Sequence, residues 1–138
     1  MNNTEVNQTI VPYFMVLSAP NFIEFTEKVF HAEVLTIDKF EGTEGVVHAE
    51  MKIGGSIIYF ADTSHDGSWS PEVYGDLQND GLVPIQMFMY VENVTETYET
   101  ALRNGATSIM EVTGNETGGY MAGFVDPFGN LWWVKSEK

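Results

Sequence analysis

The chain of 138 residues repeats itself. A shift of 74 positions lays Ala32-Glu33-Val34-Leu35 on Ala106-Thr107-Ser108-Ile109, and Gly55-Ser56-Ile57-Ile58-Tyr59-Phe60 on Gly129-Asn130-Leu131-Trp132-Trp133-Val134. The openings Val11-Pro12 and Val83-Pro84 match at an offset of 72, so two residues must be absorbed where each first strand hands over to its helix. Few letters are identical, and the repeat rests on pattern and spacing. A half-unit used twice restricts the chain to one supersecondary motif in two copies.

The order of elements within each copy follows from periodicity. Val11 to Leu17 is an apolar, β-prone run, and Pro20 stands where a first helical turn accepts it. Phe22, Phe25, Thr26, Val29 and Phe30 recur at helical spacing, which predicts an amphipathic helix over Pro20 to His31. Three strands follow, Val34 to Phe40, Val46 to Ile53 and Ser56 to Ala61, with Gly54-Gly55 as a hairpin turn. The second copy has a strand over Pro84 to Val91, then Asn93 with Glu96 as a helix start close to a capping box. Val94, Tyr98, Ala101 and Leu102 form its buried stripe, and Gly105 is placed as a left-handed cap. Thr107 to Val112, Tyr120 to Val125 and Leu131 to Lys135 are its remaining strands. The expected organisation is a first βαβββ module over 10–62, a linker over 63–82 rich in Asp, Gly, Ser and Asn, and a second βαβββ module over 83–136, all one structural domain.

Composition limits the function classes. Six basic against 20 acidic residues give a formal charge of −14, which repels nucleic acid and anionic lipid and favours solubility or a cationic ligand. Cys is absent, which removes disulfides, thiolate metal sites and a Cys nucleophile. Apolar stretches are strand-sized and the first nine residues lack a signal-peptide pattern, so the expectation is a cytoplasmic protein with no membrane span.

Paired βαβββ modules carrying Phe22-Ile23-Glu24-Phe25, His48-Ala49-Glu50, Asn104-Gly105-Ala106 and Asp126-Pro127-Phe128-Gly129-Asn130 resemble the glyoxalase, bleomycin-resistance and dioxygenase superfamily, the vicinal oxygen chelate fold. The His-Ala-Glu strand and the Asp-Pro-Phe-Gly turn followed by Trp look most like its PhnB-like branch. The resemblance spans roughly residues 10 to 136. It implies an α+β fold of two curved half-barrel sheets around a groove, and a homodimer. It also implies a divalent metal held by His or Glu from four strands.

Those four places can be read off this chain. The ligand place on the first strand of the second half is Gln86, and the acid of the last strand corresponds to Trp133. The matching acid of the first half corresponds to Tyr59. The remaining place falls near Pro12 to Phe14, and Ile10 to Ser18 contains no His, Asp or Glu. These side chains are poor ligands for a hard or borderline cation, so no metal and no other cofactor is expected. A relocated metal would have to use His48, Glu50 or His65.

His48 and Glu50 stand two apart on a strand and project from one face, while Val47, Ala49, Met51 and Ile53 point to the helix-packed core. A carboxylate beside an imidazole suits either a polar ligand contact or an acid-base pair, and equally an exposed polar pair on a sheet. Tyr59 and Trp133 replace acids, Phe14 and Phe88 lie on the opening strands, and Trp69 of the linker is placed as a lid or a subunit anchor. Together Phe14, His48, Glu50, Tyr59, Trp69, Gln86, Phe88 and Trp133 make a candidate pocket for a small organic molecule, aromatic or cationic. Two functional classes remain open. One is a metal-free binding homodimer without covalent chemistry. The other is an enzyme of the same superfamily, of lyase, dioxygenase or transferase type, using a relocated metal or His48 and Glu50 as an acid-base pair.

Overall fold

The computed structural model describes residues 8–62, 85–114, 116 and 118–137. The chain divides into two compact units, one ending at Asp76 and the other beginning at Leu77. Each described unit is a βαβββ module with a helix and an unclosed, curved sheet of four strands, an α+β architecture. The first contains β1 (Tyr13–Val16), α1 (Ala19–Phe30), β2 (Glu33–Lys39), β3 (Val46–Ile53) and β4 (Ser56–Asp62). The second contains β5 (Met87–Tyr90), α2 (Val94–Arg103), β6 (Thr107–Gly114), β7 (Tyr120–Val125) and β8 (Leu131–Ser136).

The sheet orders are the same, β1-β4-β3-β2 and β5-β8-β7-β6. In each, the first strand runs parallel to the last and the other pairs are antiparallel. A parallel first pair needs a crossover, and the amphipathic helix supplies it. Ser18 caps α1 by accepting from the Asn21 N–H, and His31 ends it in a left-handed conformation at φ 59°. Asn93 caps α2 by accepting from the Glu96 N–H. Asp62 ties the first module together: its carboxylate accepts from the Ala19 N–H at the start of α1 (2.6 Å) and from the Val46 N–H at the start of β3 (2.8 Å).

The core of the first module lies between α1 and one face of the sheet. Phe22 packs on Phe60 and Phe14 with ring centroids 5.2 and 5.5 Å apart, and Ala49, Met51 and Ile53 complete the layer. Val47, on the same side of β3, is exposed. In the second module Val94, Tyr98 and Ala101 are buried, as are Ala122, Phe124, Trp132 and Val134. The Asp126-Pro127-Phe128-Gly129-Asn130 turn is built around a buried carboxylate. Asp126 accepts from the backbone N–H groups of Phe128 and Asn130, from the Asn130 side-chain amide, and from the Trp132 indole N–H at 2.9 Å. This anchors Trp132 in the core and leaves Trp133, the next residue of β8, on the opposite face.

Candidate functional site

Cross-strand partners project from the same face, so the registers define what each sheet presents opposite its helix. In the first module Tyr13 pairs with Tyr59, Tyr59 with Glu50, and Glu50 with Thr36, which makes one row across four strands. His48 lies on the same face of β3 and pairs with Asp38. The aromatic rings gather: Tyr13 and Tyr59 are 5.8 Å apart edge-to-face, and His48 stands 4.8 Å from Tyr59 and 5.6 Å from Tyr13.

These polar groups form a chain. The Tyr13 hydroxyl lies 2.8 Å from His48 Nδ1, and His48 Nε2 lies 3.1 Å from Glu50 Oε2. With Glu50 ionised, Nε2–H donates to the carboxylate, Nδ1 becomes an acceptor, and the Tyr13 hydroxyl donates to it. Tyr13 then turns its oxygen lone pairs outward. Glu50 is 3% exposed, and its Oε1 has no hydrogen-bond partner among the described residues. Partial burial, then the Glu50 charge, then Tyr59 push the Tyr13 hydroxyl above the ordinary tyrosine value.

The second module presents a different row. Phe88 pairs with Trp133, Trp133 with Gly123, and Gly123 with Met110. Gly123 therefore occupies the place that Glu50 holds in the first module. The Trp133 ring lies across it so closely that a Cβ on Gly123 would stand 2.5 Å from Trp133 Cζ3. The indole N–H donates to Gln86 Oε1 at 2.8 Å, which fixes the ring in its plane. Phe88 and Tyr90, both exposed, flank it on the edge strand with centroids 5.5 Å apart.

The structure brings together His48, Glu50 and Tyr59 in one module, and Gln86, Phe88 and Trp133 in the other. Phe14 is corrected: it is 6% exposed and packs on Phe22 beneath the helix, so the first strand offers Tyr13 to the open face instead. Tyr13 was hidden because Val11 to Leu17 is apolar almost throughout, and such a run carries no alternation to tell one face from the other. Strand pairing places Phe88 opposite Trp133 as Tyr13 is opposite Tyr59, an offset of 75 positions rather than 72. Trp69 and His65 lie outside the described residues.

The rings on the first and last strands do not fit a metal. The Trp133 nitrogen is a hydrogen-bond donor with no lone pair to give, and Phe88 offers no donor atom. Tyr13, held protonated above the usual tyrosine range, is a poor ligand at neutral pH. Among the described residues no three His, Asp or Glu side chains form a metal-binding group. Among them, too, no helix is long and apolar enough to cross a membrane.

No family model matches the chain. It is 25% identical over 132 residues to uncharacterized proteins of Mycobacterium bovis and Mycobacterium tuberculosis, an alignment covering 92% of this chain and 82% and 73% of theirs. Among solved structures, TioX of Micromonospora sp. ML1 superposes with a TM-score of 0.67 at 19% identity, covering 95% of this chain and 99% of that one. The PhnB protein of Bacillus cereus gives 0.67 at 14% identity over 94% and 99% of the two chains. A glyoxalase/bleomycin resistance protein/dioxygenase family enzyme of Burkholderia phytofirmans gives 0.63 at 18% identity over 91% and 97%. At these identities the likeness shows the fold.

Proposed function

This chain has the glyoxalase/bleomycin-resistance/dioxygenase fold, and we propose that it serves as a small-molecule-binding protein that uses no metal, working as a cytoplasmic homodimer. The observation that carries the reading is the pair of rings that the first and last strands of each module set opposite one another. Tyr13 and Tyr59 stand in one row, Phe88 and Trp133 in the other. Aromatic faces with hydrogen-bonding rims, here Gln86 and the Tyr13 hydroxyl, suit a flat organic ligand. Dimerisation is supported by apolar side chains left exposed on edge strands, Leu35 and Ile37 on β2 and Ile109 on β6.

A second reading has one observation in its favour. The Tyr13–His48–Glu50 chain joins a half-exposed hydroxyl to a buried carboxylate through an imidazole, an arrangement suited to moving a proton at the Tyr13 oxygen. Binding remains the better reading because no nucleophile or electrophile joins that chain on the described face.

The test is a titration of the full chain with 2-naphthol in EDTA, following the indole N–H resonance that Trp133→Phe removes. A saturable shift in EDTA supports the reading. A shift that needs added divalent metal, or no shift at all, overturns it.

A further inference from the structure

We infer that the open face of the first module is a site for an organic cation, a protonated or quaternary amine seated against the Tyr59 and Tyr13 rings with Glu50 as its counter-ion. The inference rests on the proposed binding function and names the ligand class for one of its two faces. It begins with a carboxylate that is 3% exposed and, among the described residues, bonded through one oxygen only. A buried anion with an unpartnered oxygen is costly, and a positive charge seated on the neighbouring rings offsets that cost. His48 bonds one oxygen of that carboxylate, and Asp38, opposite His48 in the register, adds a second carboxylate to the same face. Lys52 is the basic residue next along that face. It is exposed and makes no ion pair among the described residues.

The rings around the carboxylate complete the site. Tyr13, His48 and Tyr59 stand 4.8 to 5.8 Å apart at interplanar angles of 50 to 84°, so they form walls rather than a stack. Ring faces set this way attract a cation within about 6 Å of their centroids. Burial, and after it the Glu50 charge, raise the Tyr13 hydroxyl further above neutral pH, so the phenol stays uncharged beside the carboxylate. The second module supplies an internal comparison. With the same strand order, it puts Gly123 opposite Trp133 where the first module puts Glu50 opposite Tyr59, and lays an indole over it, so its row carries no charge. The two halves of a duplicated fold thus present one aromatic row that contains a carboxylate and one that does not. A formal charge of −14 would steer a cation toward the molecule.

The experiment compares choline with its uncharged isostere 3,3-dimethylbutan-1-ol on the full chain, reading the aromatic resonances of Tyr13 and Tyr59, with 2-naphthol at Trp133 run in parallel. Choline is expected to bind at least roughly tenfold more tightly than the alcohol, with Glu50→Gln bringing the two level. Tyr59→Leu, which leaves the carboxylate in place, is expected to lose most of the choline preference as well, so the result does not depend on one variant folding. Equal binding of the two isosteres, or a preference that survives both variants, overturns the cation site. If 2-naphthol still shifts Trp133 in that case, the binding function stands without it; if 2-naphthol fails too, both fall.

Discussion

Replacing Gly123 by alanine puts a methyl group where the Trp133 ring already is. The added Cβ would stand 2.5 Å from Cζ3 and 2.6 Å from Cε3, against about 3.5–4.0 Å for an ordinary carbon contact. The ring must therefore lift by about 1 Å. A displacement of that size off the strand lengthens the Nε1–Gln86 Oε1 bond from 2.8 Å to about 3.0 Å and bends it. Overpacking costs roughly 1–3 kcal/mol, and weakening the hydrogen bond adds less than the about 0.5–1.5 kcal/mol of losing it. Against this, alanine gives back up to about 1 kcal/mol of backbone entropy. Trp133 is only half-buried and has room to move, so the net loss should fall near 1–2 kcal/mol, a melting temperature lower by roughly 3–8 °C. Thermal unfolding by circular dichroism reads the loss, and the Trp133 indole N–H resonance should move because its hydrogen bond is lengthened and bent. Pairing the change with Trp133→Phe should recover part of the stability, since the smaller ring leaves space for the methyl. A Gly123→Ala protein as stable as the parent, with an unmoved indole resonance, would refute the claim that the indole is pinned against that strand.

Other outcomes follow from the same geometry. Because folding raises the Tyr13 hydroxyl above 10.0, its contribution to stability is whole below that pH and is lost as pH climbs through the higher folded value. Glu50→Gln removes one of the causes, so ring-carbon NMR should show Tyr13 ionising at lower pH in that variant, though still above 10.0 because burial remains the larger cause. Asp126→Ala strands a buried indole N–H and two backbone N–H groups, and urea unfolding should show a loss of roughly 3–5 kcal/mol. Sedimentation equilibrium should return twice the chain mass of 15.4 kDa.

The duplicated architecture was legible because helix and strand periods differ and repeat in the same order, and because Asn93 and Gly105 punctuate the second helix as such residues do elsewhere. The turn at Asp126 was recognisable as a motif, but its physical task, holding Trp132 in the core through a buried carboxylate, needed coordinates. The site was half legible. His48 and Glu50 alternate with apolar neighbours on β3, so their shared face could be read. The faces of β1 could not, and a one-residue error exchanges Phe14 for Tyr13. The same sensitivity hid Gly123. A uniform shift of 74 sets Glu50 against Phe124, whereas the strand registers set it against Gly123. Irregularities on the paired edge strands, between Val34 and Thr36 and between Ser108 and Met110, leave no mark in hydrophobic pattern.

The central claim is that the first- and last-strand positions of both modules serve an organic ligand and hold no metal. Elemental analysis of untagged protein, followed by melting in EDTA and with added Mn, Ni, Zn or Fe(II), tests it most directly. The account predicts substoichiometric metal and a melting temperature that neither chelator nor metal shifts. About one tightly held metal per chain, with melting that EDTA lowers and metal restores, would contradict it.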